Sequence, residues 1–499
     1  MTATAERFEV VVIGGGGAGL AAAAELARHG VRTLVVEKRS GPPSLPRATV
    51  LSTRTVELMR SWGLADAVAA ESHDAEVQLW ECPTLADASV GTAHGVGYPT
   101  REQSAMISPV APLVVAQDQA EKVLRKHIRG ASTVDLALGT EVIEFADRQH
   151  DLRVTLRGRG GEIRSLSTQY VIAADGAHGD VRHRLGIGAD PQPNAYGGVQ
   201  VVLRAPVHTI LGAARYGLYS TTAPPVPGLF LPAGRPDRWV YGPGLPVGHA
   251  DHPGEDRQRL LAAIRAGIGV DDMPVTIEHV GVFNAPAQIA HRFRSGRVIL
   301  IGDAAHRVTP RGGRGLNLAM QGGMHAAWKV AWVLRGWAPR EFLDTYDTEQ
   351  RVAAWHDVRR STDPKGSRRP TLPELQADLG GRLTHAWLPG DAPGSGPKQS
   401  TLDLVGTGWT LVTGPRVGPW SRVAREIGVR SAPVTVRSLD ALSARTIGIR
   451  GTGAMLVRPD GVPAGQWSTA AEAGVRTSPV ENVGNHRCRL PILAAPVAW

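Results

Sequence analysis

Three short motifs in this chain set glycine-rich turns beside carboxylates, residue types that together hold anionic and polyhydroxylated ligands. The first is Gly14-x-Gly16-x-x-Gly19, which follows a β-branched run from Phe8 to Ile13 and precedes an alanine-rich stretch to about His29. A short apolar run bounded by glycine reads as a buried strand, and the alanine-rich stretch as a helix. Gly14 permits the tight turn, Gly16 lets backbone approach a diphosphate, and Gly19 allows the helix to pack closely on the strand. The helix N-terminus then offers unpaired N–H groups to the negative charge. Glu37 closes the next predicted strand, Val31–Glu37, and is placed to accept from ribose hydroxyls. A glycine turn with no ligand is the plainer interpretation, and an acid at this distance weakens it.

The first motif suits NAD and FAD equally, and the second separates them. Gly302-Asp303-Ala304-Ala305-His306 follows a predicted strand at Arg297–Ile301, and Gly312-Gly313-Arg314-Gly315-Leu316-Asn317 opens a helix running to Leu334. An acid at a strand end can hold a polyol hydroxyl. A glycine turn at a helix N-terminus supplies a positive dipole end, suited to negative charge developing on a reduced flavin ring. Taken singly, Asp303 could merely cap a helix. The third motif, Asp175-Gly176-Ala177-His178-Gly179-Asp180-Val181-Arg182, follows a predicted strand at Tyr170–Ala174. Alone it is compatible with any strand-to-helix turn.

In this order, over about Phe8 to Arg359, the three motifs resemble the group A flavoprotein monooxygenases of the para-hydroxybenzoate hydroxylase type. The resemblance implies a resident FAD. Its contacts would come from Gly14, Gly16, Gly17, Ala18 and Gly19, then Glu37 and Lys38, and Asp175 with Gly176. It further implies Gly302 and Asp303, the latter on the ribitol chain, and Pro310 with Gly313. Gly315, Leu316 and Asn317 would lie against the pyrimidine edge. Arg47, in Pro46-Arg47-Ala48, and Gln117 match family positions that contact FAD, and Arg125 on the same predicted helix joins them.

The C-terminal segments Ser400–Leu404 and Leu456–Gly461 look like the third domain of actinobacterial aromatic polyketide hydroxylases, which is thioredoxin-like and usually lacks redox cysteines. Cys82 and Cys488 are the only cysteines here, so no redox pair is expected. Three positions depart from the family pattern. Gly179 stands where serine is usual, Gly322 where aspartate is usual, and Arg314 at a position often uncharged.

The implied activity consumes NADPH or NADH as a transient donor. One oxygen atom from O₂ passes through a flavin hydroperoxide into an aromatic polyketide-like substrate, in antibiotic or other secondary-metabolite biosynthesis. Baeyer–Villiger oxidation, epoxidation and antibiotic-inactivating hydroxylation use the same scaffold. A non-oxygenating flavin dehydrogenase and a flavin-binding protein are the alternatives of other classes. Sequence assigns no catalytic base; His94, Arg215, Tyr216 and Tyr219 fall in substrate-side segments, where packing is the commoner role.

The elements that must position these motifs alternate strand and helix, so the fold class is α/β. We expect a Rossmann-like FAD-binding domain from residues 1–190 and 284–365, interrupted by an antiparallel-sheet substrate domain at 191–283 that takes in part of 75–110. A Pro/Gly-rich linker at 366–399 leads to a thioredoxin-like domain at 400–499. Helices are expected at 54–60, 117–129, 316–334 and 340–359. At 499 residues the chain exceeds one ordinary core. The net charge of +9, from 55 Lys+Arg against 46 Asp+Glu, is scattered without basic runs, which argues against nucleic acid and suits a phosphate-bearing ligand. No metal-type Cys/His spacing, signal peptide or membrane-length apolar run occurs, so a soluble cytoplasmic monomer or homodimer is expected.

Overall fold

The computed structural model describes residues 6–41, 48–191, 196–222, 227–243, 256–363, 372–389 and 398–474. Its first strand, β1 (Arg7–Ile13), is an almost unbroken apolar run with Val10, Val11 and Val12 fully buried. That pattern belongs to a strand covered on both faces, as in a parallel sheet. The chain continues through α1 (Gly17–Arg28), β2 (Thr33–Glu37), α2 (Gln117–Arg129), β3 (Val134–Leu138) and β4 (Ile163–Ala173). It returns to the same sheet with β5 (Val298–Leu300), then α3 (Arg314–Leu334) and α4 (Asp344–Thr362).

The order β5-β4-β1-β2-β3 is parallel throughout. Register decides where the motifs emerge. Ile13 lies opposite both Ala173 and Val36, and Ala173 lies opposite Leu300. The turns after β1, β4 and β5, with Glu37 at the end of β2, therefore leave at one carboxyl edge, where α/β sheets bind ligands.

A seven-stranded sheet forms the second layer. Its order is Thr276–Ala285, Tyr196–Arg204, Arg235–Pro243, Gly228–Ala233, Tyr216–Thr221, Glu76–Cys82 and Thr92–Gly95. Neighbours are antiparallel except Tyr216–Thr221 with Glu76–Cys82, which run parallel. One face buries Val201, Leu203, Tyr219, Phe230, Trp239 and Tyr241 with Ile264 and Ile268 of the helix Asp256–Ile268. The other face is aliphatic around Val202, Ala233 and Val240, with Leu231 beside them. It turns toward the first domain, because Arg238 Nη1 donates to Asp118 Oδ2 of α2 at 2.7 Å.

The C-terminal sheet has the order Val434–Ser438, Trp409–Thr413, Ala454–Val457 and Pro463–Trp467. Its first pair is parallel across the helix Gly418–Arg430 and the others are antiparallel, the thioredoxin-like arrangement expected from sequence. Trp409 sits edge-on to Trp332 of α3, and Arg458 pairs with Glu349 of α4 at 2.8 Å. Cys82 is buried, and Cys488 lies outside the described residues. Within the stretch read as linker, Leu372–Asp378 is helical, and Asp378 accepts from both Arg314 and Arg360 at 2.9 Å. Among the described residues no helix is long and apolar enough to cross a membrane.

Candidate functional site

Backbone proximity explains why the first motif must be glycine. A Cβ at Gly14, whose φ is +111°, would lie 2.2 Å from the Ala174 carbonyl oxygen. One at Gly19 would lie 1.9 Å from the Gly14 carbonyl oxygen. The β1 turn is thus pressed against the β4 turn on one side and against its own helix on the other. The second motif is drawn in by the same contacts. Gly302 sits between Ala18 and Ala319, and Leu316 Cδ1 lies 2.5 Å from where a Gly17 Cβ would be. The starts of α1 and α3 therefore touch.

Neither helix start is closed by a side-chain cap at its N-cap residue: Gly16 serves α1 and Gly313, at φ +60°, serves α3. Gly15 N donates to Glu37 Oε2 at 2.7 Å, and Gly17 N donates to Glu121 Oε1 at 3.1 Å. Glu121 also accepts from Gln117 Nε2 at 2.8 Å and Arg125 Nη2 at 2.7 Å, and Arg125 reaches the Gly15 carbonyl at 3.3 Å. Burial holds the Glu121 carboxyl above its ordinary range, against the hydrogen bonds from Gln117 and Arg125.

The turn opening α3 is held from outside. Tyr98 Oη lies within donating distance of the carbonyls of Gly312 (2.8 Å) and Gly313 (3.1 Å). Asn317 is engaged with protein at both ends of its amide. Its Nδ2 donates to Val50 O at 3.1 Å and Gly313 O at 3.0 Å, and its Oδ1 accepts from Ser52 N at 2.7 Å. Its side chain shapes the turn that opens α3.

The third motif joins the second in a small cleft lined by Gly176, Gly179, Arg182, Gln288, Asp303 and His306. Asp175 Oδ2 accepts from Val181 N at 3.0 Å, and its Oδ1 is buried without a partner. Burial raises its carboxyl, opposed by the Val181 N–H and by Lys38. Lys38 itself lines a basic cleft with Arg39, Arg157 and Arg159. Pro310 precedes the Gly312–Gly313 turn, and Arg47 lies outside the described residues.

Each departure from the family pattern has a local setting. A Cβ at Gly179 would lie 2.1 Å from the Asp175 carboxyl carbon, so glycine there is what admits this rotamer. A Cβ at Gly322 would meet Gln350, Tyr346 and His306 at ordinary distances of 3.6–4.0 Å. Burial pushes the neighbouring His306 down to about 4. Arg314 is buried and paired with Asp357 and Asp378 at 2.8 and 2.9 Å.

The substrate-side candidates separate. Tyr219 belongs to the buried face over the helix Asp256–Ile268, its hydroxyl donating to Ala214 O at 2.6 Å. Tyr216 stacks on Trp80 with ring centroids 4.4 Å apart, and His94 is exposed beside Glu81. The Arg215 carbonyl accepts from Glu76 N at 2.9 Å. Sequence reasoning overlooked Glu121 and Tyr98. The four-residue spacing Gln117–Glu121–Arg125 was available as a signal, since it places three polar groups on one helix face. Nothing local marks Tyr98.

Residues 7–361 match the family model described as FAD binding domain. The chain is 32% identical to aklavinone 12-hydroxylase RdmE of Streptomyces purpurascens, covering 94% of this chain and 97% of that protein. It is 30% identical to the tetracenomycin B2 monooxygenase-dioxygenase of Streptomyces olivaceus, covering 93% and 96%. Among solved structures, an aklavinone-11 hydroxylase in a ternary complex with FAD and aklavinone superposes with a TM-score of 0.82 at 27% identity, covering 96% of this chain and 99% of that one. The flavin-dependent monooxygenase PieE, with FAD and substrate, gives 0.82 at 25% identity over the same shares.

Proposed function

The chain belongs to the FAD-binding domain family and is an FAD-dependent monooxygenase; from that premise we propose that its substrate is a polycyclic aromatic polyketide, oxygenated during antibiotic or related biosynthesis. The observation that carries the assignment of the site is the contact between two helix starts, α1 and α3, neither with a side-chain cap at its N-cap residue. A ligand with a diphosphate at one end and an electron-accepting ring at the other fits that pair. Bound there, FAD supplies electron transfer from NADPH or NADH and the reaction with O₂.

The residues contribute binding, orientation and dryness. The α1 N-terminus, with Gly16, Gly17, Ala18 and Gly19 at its start, would hold the diphosphate through backbone N–H groups. Glu37 would take the ribose hydroxyls and Asp303 the ribitol. Backbone at Gly315 and Leu316 would face the pyrimidine edge, where the α3 dipole favours negative charge. Gln117 and Arg125 would act on the diphosphate side, and Asp175, Gly176, Gly302, Pro310 and Gly313 would frame the site. The buried aliphatic sheet face around Val202, Leu231 and Val240 would help keep water from the substrate side. We place the enzyme in the cytoplasm on its cysteine content.

The test is turnover of a panel of aromatic polyketides with NADPH or NADH under isotopically labelled O₂, followed by mass spectrometry. One labelled oxygen atom per product supports the assignment, and its position separates ring hydroxylation from insertion beside a ketone. Dye reduction without label in any product would overturn it in favour of a dehydrogenase.

A further inference from the structure

We propose that FAD binding to this protein carries a proton onto Glu121, which makes the apparent affinity for the cofactor rise as pH falls. The inference rests on the FAD site proposed above. Glu121 is 2% exposed and its Oε1 lies 3.1 Å from Gly17 N, the first residue of α1. A diphosphate held at that helix start therefore comes within a few ångströms of this carboxylate. Like charges at roughly 4–6 Å strongly disfavour the second ionisation, and more so away from water.

Among the described residues, few groups bond to Glu121. From its own helix come the Arg125 guanidinium at 2.7 Å and the neutral Gln117 amide at 2.8 Å. From α1 comes backbone N–H alone, and Leu316 of α3, which is apolar, packs at the same glycine. Glu37 on β2, a second carboxylate, holds the N–H of Gly15, two residues earlier. The Arg125 guanidinium is paired with Glu121, and the diphosphate adds negative charge beside that pair. Burial already favours the protonated carboxyl, so the added charge acts on a group poised to take up a proton. Protonation leaves the Gln117 and Gly17 bonds to Oε1 in place and releases Arg125 toward the phosphates.

The experiment titrates FAD into the apoprotein between about pH 5.5 and 8.5, following quenching of flavin fluorescence. A pH indicator in weak buffer reports proton uptake on the same additions. The wild type should bind roughly tenfold more tightly at the acid end, with net proton uptake, as one linked ionisation requires. Glu121→Gln should bind more tightly than wild type at the alkaline end and lose most of the pH dependence. Wild-type affinity independent of pH, or an equal slope in Glu121→Gln, overturns the inference while the FAD site stands. Absence of FAD binding by the wild type at any pH overturns the site and the inference together. The uptake measurement on wild type stands even if the variant does not fold.

Discussion

Gly323 lies where α3 crosses α1, and replacing it with alanine tests whether that crossing sets the geometry of the cofactor site. A Cβ there would lie 2.4 Å from the Ala18 carbonyl oxygen and 3.2 Å from Ala22 N. Ordinary contact begins at 3.4 Å, so the helices must part by 3.4 − 2.4, about 1 Å. Both opposing atoms are backbone, in a helix whose Leu20 to Ala24 are fully buried, so no side chain can rotate away. Overpacking of this kind costs about 1–3 kcal/mol, and alanine in place of glycine returns about 1 kcal/mol of helix propensity. The net loss should fall between about 0 and 2 kcal/mol. The larger effect is on ligand binding. An ångström of separation between α1 and α3 shifts the diphosphate end against the ring end and spoils at least one hydrogen bond to a charged group, worth about 1.5–3 kcal/mol. FAD should therefore bind roughly 10- to 100-fold more weakly. Fluorescence titration gives the dissociation constant and a thermal melt gives the stability. Gly418→Ala is the control, since a Cβ there meets nothing within 4 Å. If Gly323→Ala bound FAD within twofold of wild type and melted unchanged, the crossing would not set the spacing of the two helix starts.

Other consequences follow from buried charges and the α3 turn. Glu57 is buried with Arg382, Arg54 and Ser108 around it; burial alone would raise its carboxyl, yet the two guanidinium groups hold it below the usual range. Arg382→Ala should cost about 3–5 kcal/mol in denaturant unfolding, whereas a surface pair such as Arg157–Glu141 should cost under about 1 kcal/mol. His306 has its ordinary value of 6.5 when unfolded and is pushed down to about 4 in the fold. The unfolded state thus binds the extra proton, and stability present above pH 6.5 drains away as pH falls toward about 4. Urea midpoints across that range should show the slope, and His306→Asn should flatten its share; an unchanged slope would exclude His306 as a source. Tyr98→Phe removes the donor to the Gly312 and Gly313 carbonyls and should destabilise by about 1–2 kcal/mol, read by unfolding in urea.

Much of the site was legible because backbone geometry demands particular residue types. Gly14, Gly19 and Gly302 occupy places where a Cβ would meet other atoms at 2.2, 1.9 and 2.9 Å, so their positions in sequence report close approaches in space. The β-branched run at β1 and the alanine-rich helix behind it follow from the same close packing. What sequence could not supply was register between distant segments. Tyr98 bonds to a turn 214 positions away, and Arg382 meets Glu57 at a separation of 325. Neither pairing leaves a periodic trace. Tyr219 shows a second limit. Strand alternation says that it faces one side of the sheet, but only the packing of the helix Asp256–Ile268 shows that this side is the core.

Arg314 brings these points together. A cation in the first turn of a helix opposes the macrodipole, and an unpaired guanidinium at the start of α3 would also add a full positive charge beside the ring end of the site. The structure pairs Arg314 with Asp357 and Asp378, and Asp378 in turn with Arg360. With Glu374 3.9 Å from Arg360, two guanidinium groups meet three carboxylates, so no net positive side-chain charge from this set acts at the turn. The partial charge of the helix backbone remains as the electrostatic influence there. The charge that distinguishes this chain at position 314 thus works as a strut. It ties the helix Leu372–Asp378 to α3 and α4.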